Sequence, residues 1–157
     1  CLEYFWAFIE TKLINDGSRI FGNQCIVVAI DAKKNTLEKG KWNVYTHGGR
    51  KDTGIDAVIW AMEAEERGAG EIVLNCINQD GVRKGYDLEQ LSLIRKQINI
   101  PLIASGGAGK KEDFLDVFEN NCVDGALAAS IFHKKIITIG EVKKFLIDNG
   151  VNIRNGN

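Results

Sequence analysis

Four short apolar stretches punctuate the chain at intervals: Cys25 to Ile30, Ile72 to Ile77, Leu102 to Ala104 and Ala126 to Ala129. Each is a continuous run with little alternation, the pattern of a parallel strand covered on both faces. Helical periodicity fills the gaps between them. Ile55, Val58, Ile59 and Met62 share one predicted inner face, with Gly68 placed to end that helix. Asp87 and Gln90 have the spacing of a capping box, opening a helix whose inner face carries Leu88, Leu91, Ile94 and Ile98. Phe114, Leu115 and Phe118 mark a third helix. Thr138 and Glu141 form a second capping box, with Val142, Phe145 and Leu146 facing inward and Gly150 as the stop.

Strand alternating with helix in this way predicts right-handed crossovers and a parallel α/β sheet. The segment from Lys33 to Thr53 is too long for a simple connection. Within it Trp42, Val44 and Thr46 alternate with Asn43, Tyr45 and His47, which predicts a small hairpin over the end of the first strand. Leu13, Ile14 and Ile20 suggest a helix before that strand, while Cys1 to Phe8 is crowded with aromatics and has no polar face.

Four βα units are half of what a closed barrel of about 250 residues requires. Such a piece leaves two strand edges unpaired and bares the side chains meant for a barrel interior. Self-association is the physical expectation, with two copies joining to complete one eight-stranded barrel. An open doubly wound sheet is the alternative; it wants helices on both faces and about five strands. The domain plan is therefore one half-barrel over residues 1–157: a leader at 1–10, a helix within 11–24 and four βα units over 25–154.

Composition removes several classes of function. The 157 residues carry 20 basic and 21 acidic side chains, a formal net charge of −1. No basic field points to nucleic acid or to an anionic membrane. Four cysteines, at 1, 25, 76 and 122, form no CxxC pair and have no histidine at ligand spacing. No metal site, disulfide scaffold or cofactor is indicated, and a reducing cytoplasm is the expected compartment. No apolar run approaches the roughly 20 residues of a membrane helix. Cys1 to Ile9 lacks the basic start and small-residue cleavage site of a signal peptide.

Candidate chemistry gathers at the ends of the predicted strands. Ser105 to Lys110 reads SGGAGK, directly after a strand and before a helix. Its glycines let backbone approach an anion, and N–H groups at the helix start, with Lys110 and Lys111, offer donors and charge. A tight βα connection is the plain alternative. The next strand leads into ALAASIFH, Ala126 to His133, where small residues again precede a short helical turn. Two such turns closed by a short extra helix are the phosphate site of many βα barrels. Asp31 follows five apolar residues at the end of the first strand, where a carboxylate serves acid-base chemistry or simply caps a loop. Asn75 could donate to a substrate, and Asp80 before Gly81 is either a ligand or a turn pair. His47 and His133 read as exposed or structural, and Cys76 has no histidine nearby to activate it. Glu71 begins its strand, at the end opposite the chemistry, where it bears on stability or a partner.

The strings QCIVVAIDAK, RGAGEIVLNCINQDGVRKGYDLEQL, PLIASGGAGK and DGALAASIFHK, in this order, closely resemble the cyclase subunit family of imidazole glycerol phosphate synthase. The likeness runs from about Leu13 to Arg154 and corresponds to the C-terminal half of that family. It implies a (βα)8 barrel that receives ammonia from a glutaminase subunit docked on its N-terminal face. That barrel converts a bis-phosphorylated phosphoribulosyl formimino ribonucleotide into imidazole glycerol phosphate and an aminoimidazole carboxamide ribonucleotide. Carried over by motif, Asp31 matches the second of two catalytic aspartates. Gly106, Gly107, Ala129 and Ser130 match one phosphate site, Asn75, Asp80 and Ser105 line the substrate, and Glu71 matches a gate residue of the ammonia channel. The related isomerase of the same pathway shares the half-barrel repeat, but the LNCINQDG and SGGAGK contexts favour the cyclase. Cys1 to Phe8 does not resemble the strand that the family carries before this point and reads as foreign to it. With one acid and one phosphate site, the chain is expected to turn over weakly alone, to need the family's N-terminal half, or to serve as a non-catalytic phosphate-binding module.

Overall fold

A computed structural model describes residues 11–120 and 123–154. The predicted leader over Cys1 to Phe8 lies outside them. The chain begins with α1 (Lys12–Phe21) and a 3-10 turn (Asn23–Cys25), followed by β1 (Val27–Lys34), β2 (Trp42–Thr46) and β3 (Lys51–Asp56). Then come α2 (Ala57–Glu66), β4 (Glu71–Cys76), α3 (Leu88–Arg95), β5 (Leu102–Ser105) and α4 (Lys111–Glu119). The chain continues through β6 (Gly125–Leu127), α5 (Ser130–His133) and α6 (Ile139–Asp148). The strands form one six-stranded sheet in the order β3-β2-β1-β4-β5-β6. β1, β4, β5 and β6 run parallel; β2 pairs antiparallel with β1 and with β3. No helix of the described residues is long and apolar enough to cross a membrane.

The alternation of side chains along each strand divides the sheet into two unlike faces. Val28, Ile30 and Ala32 of β1, Ile72, Leu74 and Cys76 of β4, and Leu102 and Ala104 of β5 are buried. All of these but Cys76 share one core cluster with Trp60, Ala61 and Ala64 of α2, Leu91 and Ile94 of α3, Phe114 and Val117 of α4, and Val142 and Leu146 of α6. Their neighbours in sequence, Ala29, Asp31, Val73, Asn75, Ile103 and Ser105, are only half-buried. The register lines these up in rows: Ala29, Val73, Ile103 and Gly125 in one, and Asp31, Asn75, Ser105 and Leu127 in the next. The apolar runs are thus covered on the helical side only, and the opposite face carries polar side chains toward the strands' C-terminal ends.

Several predicted details change in the fold. Ile59 and Met62 of α2 point outward, 62% and 37% exposed, while the buried stripe is Ala57, Trp60, Ala61 and Ala64. The three alanines let the helix lie close to the sheet and Trp60 fills the remaining volume, so bulk misplaced the helix face. Ile20 of α1 is likewise 71% exposed, and Ile14 alone is buried there. At α3, Asp87 accepts from Gln90 N at 3.1 Å, but the Gln90 side chain is fully buried and does not bond back, so the capping box is half made. The box at Thr138 and Glu141 is complete, with Glu141 N donating to Thr138 Oγ1 at 3.2 Å and Thr138 N donating to Glu141 Oε2 at 2.7 Å.

The hairpin joins the sheet rather than lying over the strand end. Trp42 and Val44 are buried, and β2 pairs Trp42 to Tyr45 with Lys34 back to Asp31. This pairing carries β1 past Asp31 to Lys34, beyond the predicted end. Asp52 ties the hairpin together, accepting from Asn43 Nδ2 at 3.0 Å, Tyr45 Oη at 3.1 Å and Gly54 N at 2.8 Å. These donors, the Gly54 amide foremost, hold its carboxyl below the usual range.

Candidate active site at the strand C-terminal ends

Asp31, Asn75, Asp80, Ser105, Gly106, Gly107, Ala129 and Ser130 fall at the C-terminal ends of the parallel strands or in the loops leaving them, and Glu71 begins β4 at the opposite end. Asp31, Asn75 and Ser105 are register partners on adjacent strands, so their side chains leave the same face. Asn75 Nδ2 donates to Asp31 Oδ1 at 2.9 Å. Ser105 lies two strand spacings from Asp31, about 10 Å. Glu71 is paired with Val27 at the other end of the same face, about 13 Å from Asn75 along β4.

Beside Ser105 is a cavity of about 150 Å³ lined by Asp80, Gly81, Ser105, Gly106, Gly107, Ala108, Leu127, Ala128, Ala129 and Ser130. The two glycine- and alanine-rich turns meet there, together with the loop after β4, and α5 closes the far side. At Gly106 and Gly107 the packing of these loops leaves no room for a side chain. A Cβ on Gly107, where φ is +118°, would stand 2.1 Å from Gly85 O. A Cβ on Gly106, φ +86°, would stand 2.8 Å from Cys76 O. Gly85 N donates to Gly107 O at 3.0 Å, and Tyr86 Oη donates to Leu127 O at 2.9 Å, so both turns are fastened to the loop between them. Burial, with the Asp113 carboxylate nearby, pushes the Tyr86 hydroxyl well above its ordinary pKa, and it stays a neutral donor.

The helix start behind the first turn is not the anion donor expected from the sequence. Gly109 N and Lys110 N already donate to Asp113 Oδ2, at 2.7 and 3.0 Å. Asp113 is buried and takes the place an incoming anion would occupy at the start of α4. Lys110 and Lys111 line a separate crevice between α4 and α6, with Lys111 Nζ 4.5 Å from the centre of the Phe145 ring. Among the described residues, no protein acceptor takes the N–H groups of Gly107 and Ala108. The cavity therefore offers an anion these backbone N–H groups and the hydroxyls of Ser105 and Ser130, with no lysine in its lining and with the Asp80 carboxylate among its walls. Asp113 escaped the sequence reading, although an acid three residues after Lys110 is the ordinary signal for a helix-start cap.

The remaining candidates are placed apart. Cys76 is buried on the helical side, its Sγ 3.7 Å from Asp87 Oδ2. Burial and that carboxylate push its thiol up to about 12, so it is a thiol and not a nucleophile at neutral pH. His47, φ +56°, sits exposed at the hairpin turn beside Thr46, and His133 is exposed at the end of α5. Lys33, two residues beyond Asp31 and unmarked by the sequence reading, holds its Nζ 5.4 Å from the Tyr45 ring centre. Among the described residues, no group of three or more His, Cys, Asp or Glu is placed to hold a metal ion.

A mostly parallel sheet with helices on one face and paired small-residue turns at the strand C-terminal ends is consistent with a TIM-type barrel fold, a class that carries its sites at that end. Comparison with known sequences gives the family: the profile described as histidine biosynthesis protein matches residues 6–138, and the chain belongs to that family. It is 51% identical over 148 residues to the imidazole glycerol phosphate synthase subunit HisF of Geobacillus thermodenitrificans. The same-named subunits of Clostridium botulinum (strain Okra / Type B1) and Prochlorococcus marinus are 50% and 48% identical over 148 residues. Each alignment covers 94% of this chain and 58% of the relative, so the chain spans little more than half the length of the relatives it matches.

Proposed function

We propose that this chain supplies half of the active site of an imidazole glycerol phosphate synthase cyclase. In this reading Asp31 is the general acid or base, and Asn75, Asp80 and Ser105 line the substrate. One of the substrate's two phosphates rests on the turns at Gly106–Gly107 and Ala129–Ser130. The observation that carries the reading is the row of Asp31, Asn75 and Ser105 ending at the small-residue cavity. An acid about 10 Å from an anion pocket matches a sugar-phosphate arm laid across two strands. Glu71, at the opposite end of the same face, suits a gate on the path of ammonia from a glutaminase subunit. The free thiols of Cys25 and Cys76 are compatible with a reducing cytoplasm.

The protein is a single half-barrel unit in this reading, and its half-buried face is the inner wall. Four parallel strands are half the number a closed barrel needs. Among the described residues, Val27 to Ile30 have no strand on the β2 side and β6 has none beyond it. Those two edges and the Ala29, Val73 and Ile103 row are what a second copy, or the family's N-terminal half, would cover.

Light scattering at several protein concentrations tests the closure, with a dimer expected. Inorganic phosphate should raise the melting temperature, because a ligand bound only by the folded state stabilises it by mass action. Ammonium-dependent cyclisation, by the chain alone or with a family N-terminal half, should then vanish in Asp31→Asn while the phosphate effect stays. Equal turnover by that variant removes Asp31 from the mechanism. A phosphate effect with no turnover in either assembly favours the non-catalytic binding module instead.

A further inference from the structure

We infer that Asn75 is a positioning residue, which fixes the carboxylate of Asp31 and links it mechanically to the phosphate turn. The inference rests on the cyclase reading only for what Asp31 does; the linkage itself is geometric. One hydrogen bond and one close approach carry it. The Asn75 amide nitrogen donates to Asp31 Oδ1 at 2.9 Å. Its amide oxygen faces the other way, where a Cβ on Gly106 would stand 3.0 Å from it. The side chain therefore spans from the acid to the first glycine of the turn. The ionised carboxylate holds the amide this way round, since a flipped amide would set an oxygen against it.

Local structure makes this bridge stiff. Asn75 pairs in register with Asp31 on one side and with Ser105 on the other, and adjacent parallel strands stand about 4.8 Å apart. One amide group fills that interval. Gly106 lies beside the end of β4, where an added Cβ would come 2.8 Å from Cys76 O and 3.0 Å from Asn75 Oδ1, so only a residue without a side chain lets the turn stand this close to Asn75.

The consequence for proton transfer is specific. With an N–H committed to Oδ1, that oxygen is an acceptor, and the proton that Asp31 takes from substrate or returns to it is carried on Oδ2. An anion that draws the turn inward moves Gly106, then Asn75, then the carboxylate. Phosphate binding thereby sets the orientation of the acid about 10 Å away.

The test begins with the 15N,13C-labelled chain in solution and needs no turnover. One Asn75 Nδ2 proton should be shifted from its partner and exchange about tenfold more slowly than a free side-chain amide, as a hydrogen bond to a charged group implies. Asp31→Ala should abolish both features. Inorganic phosphate should move the Asp31 Cγ resonance, and Asn75→Ala should remove that response while the backbone signals of Gly107 still respond. An Asn75 amide indifferent to Asp31→Ala overturns the linkage, as does an Asp31 response that survives Asn75→Ala. Asn75→Asp, of the same shape but without the N–H, serves if the alanine variant fails to fold. Where cyclisation is measurable, Asn75→Ala should lower kcat about ten- to a hundredfold with KM within about twofold, the mark of a misplaced catalytic group. An unchanged kcat overturns the positioning role while leaving Asp31 in place. The expected spectra without turnover in any assembly defeat the cyclase reading and leave the linkage standing.

Discussion

Gly107→Ala offers the sharpest test of how the Gly106–Gly107 turn is built. Gly107 sits at φ +118°, outside the left-handed helical region that an L-residue occasionally enters, which costs about 1–3 kcal/mol. The added methyl would also stand 2.1 Å from Gly85 O and 2.8 Å from Gly85 C, both backbone atoms. Relief requires the two loops to part, stretching the 3.0 Å bond from Gly85 N to Gly107 O, and overpacking of this kind costs about a further 1–3 kcal/mol. The total of about 2–6 kcal/mol corresponds to a fall of about 4–24 °C in Tm at about 2–4 °C per kcal/mol. Gly48→Ala is the control: φ is +64°, and a Cβ there meets nothing within 4 Å. It should pay only about 1–2 kcal/mol of backbone strain. Thermal melts of both variants at one protein concentration, with and without phosphate, separate the two contributions. The phosphate effect should vanish in Gly107→Ala and persist in Gly48→Ala. Equal melting temperatures for the two variants, with the phosphate effect retained in both, would refute the argument that backbone packing shapes the turn.

Three further outcomes test the rest of the structure. Val73→Lys places a charge in the Ala29, Val73 and Ile103 row, on the half-buried face; light scattering should show the mass falling to that of one chain, and a mass unchanged from the wild type would put the contact elsewhere. Asp113→Ala removes the buried acceptor of Gly109 N and Lys110 N and should cost about 1–3 kcal/mol in urea unfolding; a loss under about 0.5 kcal/mol would mean water caps α4 equally well. Cys76 should resist alkylation at pH 8 while the exposed Cys25 reacts, read by peptide mass spectrometry. Its folded-state pKa, raised to about 12 from 9.0, means that the unfolded thiol ionises first. The stability associated with burying the neutral thiol is therefore complete below about pH 9 and is lost between about pH 9 and 12. Cys76→Ala should flatten that alkaline limb.

The parallel strands, the helix order and the members of the candidate site were legible along the chain because each leaves a local mark. A continuous apolar run marks β1 or β4, and Thr138 with Glu141 marks the start of α6. SGGAGK shows its glycines whether or not they are packed against anything. What failed were inferences that needed to know which neighbour occupies the space. Ile59 and Met62 have the bulk of core residues, yet the close approach of α2 favours Ala57, Ala61 and Ala64, and periodicity of size cannot see that distance. The N–H groups at the start of α4 look available in sequence, and only the folded loop shows Asp113 holding them.

The sequence by itself determined the chemistry of this protein: which carboxylates, amides and glycines are present, and that they follow strands. Tertiary structure decided their company. Pairing through register brought Asp31, Asn75 and Ser105 into one row from positions far apart in the chain, and the rigidity of hydrogen-bonded strands holds that row. It also decided which flank of the sheet the helices cover. Both outcomes depend on contacts across long sequence separations, and strand alternation leaves them open until the helices choose a face.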